Sequence, residues 1–156
     1  MLKVGQKAPD FRLSDTNGNE IVLSSFIGRK VVLFFYPKDD TPGCTKEACS
    51  FNAGIKKFEK QKIAVFGISP DDMKSHRKFT EKFDLSFPLL SDIGHKVAEK
   101  YGAWGKKKLY GREYEGVIRS TFLIDEKGNI EYIFDKVKVD IHADEVLEAI
   151  KMVNSN

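Results

Sequence analysis

Two continuously apolar runs, separated by a segment with helical spacing, constrain the fold of this chain more than any other feature. The runs are Val-Val-Leu-Phe-Phe-Tyr at 31–36 and Ile-Ala-Val-Phe-Gly-Ile at 63–68, and both are typical of strands buried on two faces. Between them, apolar side chains recur at intervals of four and three residues, which predicts an amphipathic helix (positions 44, 48, 51, 55 and 58). A strand, a helix and a strand in this order form a crossover, so the two strands are predicted to be parallel.

The rest of the chain adds two predicted hairpins and three predicted helices. The hairpins pair 11–13 with 21–23, around Asn17-Gly18, and 121–125 with 130–134. The helices are predicted to start at Ser69-Pro70-Asp71-Asp72, to span 92–101 with Ile93 on the apolar side, and to include apolar positions 143, 146, 147, 150 and 153. These elements predict an α/β sandwich with a mixed central sheet, helices on both faces and an N-terminal hairpin.

The segment from Gly102 to Gly116 is predicted to be an exposed loop, because it contains four glycines and the run Lys106-Lys107-Lys108. We interpret the lysines as a solvated part of this loop. The alternative is a docking patch for an acidic reductant.

The composition excludes several classes of protein. The chain has 156 residues with 26 basic and 23 acidic side chains, and its net charge of +3 is too balanced for a dedicated nucleic-acid binder. The longest apolar run, 31–36, is far shorter than the ~20 residues of a membrane-spanning helix. The first seven residues contain no apolar stretch of signal-peptide length, so we expect a cytoplasmic location. No composition shift divides the sequence, and one domain over 1–156 is expected.

The two cysteines, Cys44 and Cys49, are either inert core thiols or chemical groups, since a reducing compartment disfavours a structural disulfide framework. Cys44 follows the predicted end of an apolar strand and lies in the first turn of the next helix. Open α/β sheets bind their ligands at that edge, and the free amides and dipole of a helix start favour a thiolate. From position alone, a buried structural cysteine remains open, because Cys44 also continues the apolar stripe.

Residues 36–44, Tyr-Pro-Lys-Asp-Asp-Thr-Pro-Gly-Cys, resemble the peroxiredoxin signature Pro-x-x-x-Thr-x-x-Cys. The hydroxyl of Thr41 is able to donate a hydrogen bond to a peroxide oxygen. Pro37 has no N–H and stiffens the loop, which helps to keep water from the sulfur. The alternative is a Pro-Gly turn that merely precedes a helix.

The resemblance extends to the Q-type, or bacterioferritin comigratory protein, subgroup of peroxiredoxins and covers essentially the whole chain. It is carried by the following segments: 43–49 (Gly-Cys-Thr-Lys-Glu-Ala-Cys), 86–92, Trp104, Tyr110-Gly111 and 119–125 (Arg-Ser-Thr-Phe-Leu-Ile-Asp). Asn52 departs from the pattern, because many relatives have Arg there.

The resemblance implies a thioredoxin-like fold and assigns a role to each matching residue. Cys44 is the peroxidatic nucleophile, and Cys49, on the same helix, is the resolving thiol. Thr41 and Arg119 are the activating groups, and Glu47 matches an acid that positions the arginine. Without the resemblance, Arg119 would be an ordinary surface arginine and Glu47 a solvated glutamate of the first helical turn.

The implied activity is a thiol peroxidase of the atypical two-cysteine kind. It reduces hydrogen peroxide and organic hydroperoxides through a Cys44 sulfenic acid and an intramolecular Cys44–Cys49 disulfide, which thioredoxin or a similar dithiol reduces. No metal, haem or flavin is implied, and relatives in the subgroup are often monomeric. One alternative is a thioredoxin-fold disulfide oxidoreductase, which the absence of Cys-x-x-Cys disfavours. The other is a non-catalytic binding or holdase module.

The three histidines give weaker signals. His76 lies among phenylalanines and is interpreted as a satisfied core histidine, whereas His95 and His142 lie off the apolar faces and show no partner pattern. Two cysteines five residues apart without clustered histidines are a poor zinc-binding set.

Overall fold

The computed structural model describes residues 2–154. The strands are β1 Arg12–Asp15, β2 Glu20–Val22, β3 Val31–Phe35, β4 Ala64–Ser69, β5 Leu89–Ser91, β6 Trp104–Leu109, β7 Arg112–Val117, β8 Ser120–Ile124 and β9 Ile130–Phe134. The α-helices are α1 Pro42–Lys60, α2 Met73–Phe83, α3 Lys96–Lys100 and α4 His142–Asn154, and Leu23–Phe26 forms a short 3-10 helix.

Seven strands form one mixed sheet in the order β2-β1-β5-β4-β3-β8-β9. β3 is parallel to β4, and β4 is parallel to β5, whereas β8 is antiparallel to β3 and to β9. The predicted parallel crossover and both predicted hairpins are therefore confirmed. The interior position of β3, between β4 and β8, explains its sequence, since all five of its residues are buried and neither face meets solvent.

Alternate side chains of β3 enter two different cores. Val32 and Phe34 pack with residues of α1, α2 and α4 on one face of the sheet. Val31, Leu33 and Phe35 pack on the other face with α3 and with Leu23, in the 3-10 helix. Helices therefore cover both faces, as predicted. Among residues 2–154, no helix is both long and apolar enough to cross a bilayer.

The predicted exposed loop over 102–116 is wrong, because β6 and β7 form a two-stranded antiparallel sheet there. Tyr110 and Gly111 make its turn with φ of 52° and 77°, and two such residues are what a tight hairpin turn requires. Gly105 and Gly116 are paired within these strands, and Lys106, Lys107 and Lys108 belong to β6. Lys106 lies opposite Glu115 and Lys108 opposite Glu113, so glutamates balance the lysine run across the hairpin.

Two predicted helix boundaries also require correction. α2 begins at Met73 rather than at Pro70, because Asp72 is the cap and accepts a hydrogen bond of 2.8 Å from the Ser75 amide. α3 has one short turn instead of spanning 92–101. Gly94 and His95 have positive φ angles and form a turn before this helix. Ile93, predicted to lie on the apolar side of the helix, precedes it and is 64% exposed.

Candidate active site

Cys44 lies where the interior strand β3 leads into the helix α1. β3 ends at Phe35, and α1 begins at Pro42 with Thr41 as its cap residue. The thiol is the third residue of the helix and is 1% exposed. In the first turn, the amides of Gly43 and Cys44 have no carbonyl four residues earlier in the helix, so they present positive partial charge at the sulfur end.

Arg119 reaches this sulfur from the neighbouring strand. Ser120 pairs with Phe35 in the β3–β8 ladder, so Arg119 lies at the edge of the sheet from which α1 starts. Its Nη2 donates a hydrogen bond of 3.1 Å to Cys44 Sγ. The guanidinium also packs directly over Gly43, where a Cβ would lie 3.2 Å from Nη2. A side chain at position 43 would therefore press on the arginine.

Glu47 holds the other side of the guanidinium. It lies one turn after Cys44 on α1, is fully buried, and its Oε1 accepts a hydrogen bond of 2.6 Å from Arg119 Nη1. Burial raises the pKa of Glu47 to about 7, with Arg119 opposing the rise. Burial also opposes the charge of Arg119, but Glu47 and Cys44 more than offset this and raise the pKa of Arg119. The alternative interpretation of Glu47 as a solvated glutamate is therefore wrong.

The Thr41 hydroxyl has a partner within the loop that precedes α1. Its Oγ1 donates a hydrogen bond of 2.8 Å to the carbonyl of Lys38 and makes no capping bond to the helix that it precedes. The hydroxyl hydrogen is therefore engaged, and the oxygen presents its lone pairs. Donation to a peroxide requires rotation of the hydroxyl. Pro37 is half-buried at the start of the same loop.

Cys49 lies on the same unbroken helix as Cys44, and both thiols are free. Its side chain is half-buried, and burial raises the pKa of the Cys49 thiol. Residues five apart on an α-helix are rotated by about 140° after a full turn, so the two side chains leave different faces of α1.

The prediction for His76 is confirmed, and the prediction for His142 is wrong. His76 is fully buried, with Nδ1 2.7 Å from an Asp39 oxygen and Nε2 3.1 Å from the Leu90 carbonyl oxygen, as expected for a satisfied core histidine. His142, expected to lack partners, is also fully buried. Its Nε2 lies 2.7 Å from Thr121 Oγ1 and 4.0 Å from Glu47 Oε2.

Sequence reasoning also missed two contacts made by residues of β6. Lys107, expected in a solvated loop, is half-buried and donates a hydrogen bond of 2.9 Å to the Val117 carbonyl. Burial and the charge of Arg119 lower the pKa of Lys107, whereas Cys44 opposes this effect. The ring of His95 stacks on Trp104 with centroids 3.5 Å apart. Both contacts depend on the β6–β7 hairpin, a segment that its glycines had led us to predict as a loop.

Comparison with known proteins places these features in a family. The AhpC/TSA family matches residues 4–133. The putative peroxiredoxin bcp of Helicobacter pylori strain J99 is 51% identical over 149 residues, covering 96% of this chain and 98% of that protein. Peroxiredoxin Bcp of Bacillus subtilis is 46% identical over 150 residues and covers 96% of both.

Solved structures agree with the sequence comparison. A cysteine-to-serine mutant of Xylella fastidiosa PrxQ matches with a TM-score of 0.93 and 33% identity, covering 99% of this chain and 98% of that one. A bacterioferritin comigratory protein from Xanthomonas campestris, described by its alkyl peroxide reduction activity, matches with a TM-score of 0.89 and 37% identity, covering 96% and 98%.

A thioredoxin-like sheet with an arginine-paired cysteine at the start of a helix defines a thiol-based redox enzyme. The chain belongs to the AhpC/TSA family, as a peroxiredoxin of the Bcp, or Q, type, and its activity is the reduction of hydroperoxides.

Proposed function

We propose that Cys44 is the peroxidatic nucleophile, that Cys49 is the resolving thiol, and that Thr41 and Arg119 are the activating groups. Glu47 orients the arginine, and Pro37 shapes the loop beside the sulfur. The observation that carries this assignment is the 3.1 Å hydrogen bond from Arg119 Nη2 to Cys44 Sγ. It supports a role for the guanidinium both with the thiolate and with the oxygen that leaves.

The proposed reaction has three balanced steps. The Cys44 thiolate attacks one peroxide oxygen, the O–O bond breaks, and the departing oxygen takes a proton and leaves as water or alcohol. The Cys44 sulfenic acid then condenses with the Cys49 thiol, forming the S–S bond and releasing water. An external dithiol finally reduces the disulfide and becomes a disulfide itself.

Arg119 has two anionic neighbours in the reactive state, and this arrangement supports its proposed role. Nη1 is held by Glu47 while Nη2 faces the sulfur, so the planar fork has a fixed orientation. A fixed cationic donor stabilises negative charge that develops on the departing oxygen, and it does so without reorganising during the reaction.

The proposed substrates are hydrogen peroxide and organic hydroperoxides, and the proposed reductant is thioredoxin or a similar dithiol. The alkyl peroxide reduction activity of the Xanthomonas campestris relative supports the organic substrates. The pairing of Lys106 and Lys108 with glutamates across the hairpin gives no support to the alternative of an acidic-reductant patch.

We further propose that the enzyme works as a monomer in the cytoplasm, with one domain over 1–156 and no cofactor, nucleic acid or membrane as partner. The shared sheet beneath both hydrophobic cores supports one domain, and the nearly balanced charge disfavours nucleic acid. Recycling by a dithiol fits a reducing compartment.

The two cysteine-to-serine variants test the assignment. Cys44→Ser is expected to abolish peroxide reduction, because the variant lacks the attacking sulfur. Cys49→Ser is expected to form one sulfenic acid per chain, detectable by mass after trapping, and then to stall with reduced thioredoxin. Normal turnover of Cys49→Ser with thioredoxin would contradict the resolving role.

The same assay separates the alternatives. A disulfide oxidoreductase would exchange disulfides without consuming peroxide, and a holdase would oxidise no thioredoxin at all. Consumption of hydrogen peroxide and of an alkyl hydroperoxide in step with thioredoxin oxidation is the expected result.

A further inference from the structure

The loop between β3 and α1 is fastened by one buried acid, Asp39, which has no role in the reaction proposed above. Asp39 is 7% exposed. Its Oδ1 accepts a hydrogen bond of 2.6 Å from the Tyr36 hydroxyl, and its Oδ2 accepts one of 2.8 Å from the Ser75 hydroxyl. Oδ2 also lies 2.7 Å from His76 Nδ1. Hydrogen bonds to a buried carboxylate are stronger than those between neutral groups, so these contacts stabilise the conformation of the loop.

The backbone of the loop is fixed at the same point. The Asp39 amide donates a hydrogen bond of 2.8 Å to Asp71 Oδ2, which also accepts one of 2.7 Å from the Ser69 hydroxyl. Asp39 is therefore held by both its main chain and its side chain. The cluster Asp39, Asp71 and His76 has ligand atoms close enough for a metal ion, but the hydrogen bonds already account for these groups.

The partners of Asp39 belong to elements other than α1. Ser75 and His76 are on α2, and His76 Nε2 lies 3.1 Å from the carbonyl oxygen of Leu90 on β5. Tyr36 directly follows β3. The loop is therefore tied to the sheet and to α2, and this anchor does not depend on the first turn of α1.

Only a short stretch separates this anchor from the reacting sulfur. Asp40 has φ of 58°, an angle that aspartate and asparagine adopt more readily than most residues with side chains, and its backbone links the fixed loop to the helix. The next residue, Thr41, donates its hydroxyl hydrogen to Lys38, the residue just before Asp39. Thr41 and the start of α1 therefore take their position from the fastened loop.

We propose that Asp39 is a positioning residue of the peroxide-reducing site, which acts through Thr41 and the first turn of α1 rather than on the substrate. This inference rests on the proposed roles of Cys44 and Thr41. When the anchor is weakened, the reactive arrangement is populated less, so attack on peroxide slows. The opened first turn in turn favours the condensation of the Cys44 sulfenic acid with Cys49.

A second consequence distinguishes positioning from simple stability. A Cys44 sulfenic acid that waits in the closed site is open to a second peroxide, which transfers an oxygen to sulfur, gives sulfinic acid and leaves as water or alcohol. Earlier opening removes the sulfenic acid from that reaction. A weakened anchor therefore lowers both the rate with peroxide and the fraction of sulfinic acid per turnover.

The test compares the reduced protein with its Asp39→Asn variant. Asparagine has one side-chain oxygen in place of two, so it cannot accept both the Tyr36 and the Ser75 hydrogen bonds. Asp40→Asn is the matched control, because the Asp40 side chain is exposed and bonds to Lys82, and because asparagine, like aspartate, readily adopts the positive φ of this position. The rate constant of the first turnover with hydrogen peroxide is measured by rapid quenching and mass spectrometry. The sulfinic fraction is measured during thioredoxin-supported turnover at rising peroxide, and thermal unfolding is recorded for each variant.

Asp39→Asn is expected to react about tenfold more slowly with peroxide, the effect of losing one charge-assisted hydrogen bond, and to accumulate less sulfinic acid. Ser75→Ala and Tyr36→Phe each remove one hydrogen bond to Asp39 and are expected to shift both quantities in the same direction by less. Asp40→Asn is expected to stay within about twofold of the parent in both.

A folded Asp39→Asn protein with the parental rate and sulfinic fraction would overturn the proposal. So would a slower rate accompanied by an unchanged or higher sulfinic fraction, because that result indicates general damage. If Asp39→Asn does not fold, Ser75→Ala and Tyr36→Phe decide by the same criteria. Failure of the proposed function has a different signature, which is peroxide reduction by Cys44→Ser.

Discussion

Arg119 Nη2 lies 3.1 Å from Cys44 Sγ, although 75 residues separate the two in the sequence. The antiparallel pairing of β3 with β8 brings them together, because Phe35 at the end of one strand lies opposite Ser120 at the start of the other. Glu47 holds the second guanidinium nitrogen from within the same helix as the thiol. One cation is therefore shared by a thiol and a carboxyl group, and the two acidic groups compete for its charge.

The first prediction concerns the contribution of Arg119 to catalysis. Lowering the pKa of a thiol from about 8.5 to about 6 raises its thiolate fraction at neutral pH about thirtyfold. The weaker nucleophilicity of the more acidic thiol cancels more than about tenfold of this gain. Most of the rate must therefore come from stabilising the departing oxygen, and Arg119→Met is expected to slow peroxide reduction even where the thiol is fully ionised.

The measurement is the rate constant with hydrogen peroxide as a function of pH, with Arg119→Lys as the comparison. Lysine keeps the charge but loses the planar fork, so we expect it to restore only part of the rate. Recovery of the full rate in Arg119→Met by raising the pH would leave an ionisation effect alone and refute the argument.

The second prediction concerns the pH dependence that Glu47 imposes. Because burial raises the pKa of Glu47 to about 7, acidification through that pH protonates the carboxyl group and removes the charged partner of Arg119. Peroxide reduction is expected to fall on the acid side, and Glu47→Gln is expected to be slower but to lack this limb. The ultraviolet absorbance of the thiolate, recorded in parallel, distinguishes the effect of Glu47 protonation from that of Cys44 ionisation.

The same pKa has a consequence for stability. Activity is expected to require the ionised form of Glu47, whereas the folded state favours its protonated form. Its pKa in the fold lies above the ordinary value of 4.5, so the fold favours the protonated form. Its contribution to the free energy of unfolding is therefore fully present below about 4.5 and is lost as the pH rises through about 7. Glu47→Gln is expected to lack this dependence in urea titrations. An identical pH profile for both proteins would show that Glu47 is not the group responsible.

The sequence predicted those parts of the fold that depend on local patterns. Buried runs located β3 and β4, helical spacing located α1, and a turn signal located the first hairpin. Other features depend on contacts between distant segments. The pairing of Asp39 with His76 spans 37 residues, and neither residue carries a local sign of the other.

Errors arose where a local signal had two structural meanings. Glycines at 105 and 116 suggested a loop, but they lie opposite each other within a hairpin. Pro70 suggested the start of α2, but Asp72 supplies the cap. The role of Arg119 came from the family resemblance alone, since one arginine before a strand carries no chemical signature. Its contact with Cys44 required the strand register.

The third prediction tests the hydroxyl of Thr41, which donates to the Lys38 carbonyl. Thr41→Val keeps the shape of the side chain but loses both this hydrogen bond and the oxygen that is proposed to bond to the peroxide. We expect the rate with peroxide to fall by about a hundredfold, the usual effect of removing one polar group at a reacting oxygen. Thr41→Ser is expected to recover part of this loss, and equal rates for the Val and Ser variants would contradict a role for the hydroxyl.

The fourth prediction compares two glycines of α1 under the same substitution. A Cβ at Gly43 would lie 3.2 Å from Arg119 Nη2, whereas a Cβ at Gly54 would make ordinary contacts of 3.7 Å with Ala143 and Leu147. Alanine is compatible with the helical backbone at both positions. Gly54→Ala is expected to raise the free energy of unfolding by about 0.5–1 kcal/mol with unchanged activity. Gly43→Ala is expected to displace the guanidinium and slow peroxide reduction, and a parental rate would show that this close packing is irrelevant.

The fifth prediction is that α1 must open when the two cysteines join. Residues five apart on a helix are displaced by about 7.5 Å along its axis, which together with the rotation places the Cα atoms of Cys44 and Cys49 about 8.6 Å apart. A disulfide requires Cα atoms within about 7 Å. Because both thiols lie within the unbroken helix Pro42–Lys60, the bond cannot form without unwinding its first turns.

The opening starts at the least bonded part of the helix, because its first backbone hydrogen bond runs from the Thr45 amide to the Thr41 carbonyl, and the amides before it have no carbonyl one turn earlier in the helix. It withdraws Cys44 from Arg119 and exposes the disulfide to its reductant. Amide hydrogen exchange is expected to be faster across 45–51 in the oxidised protein, with α2 as an internal reference that keeps its protection. Equal protection across 45–51 in both states, with the disulfide confirmed by mass, would show that the bond forms by some other rearrangement.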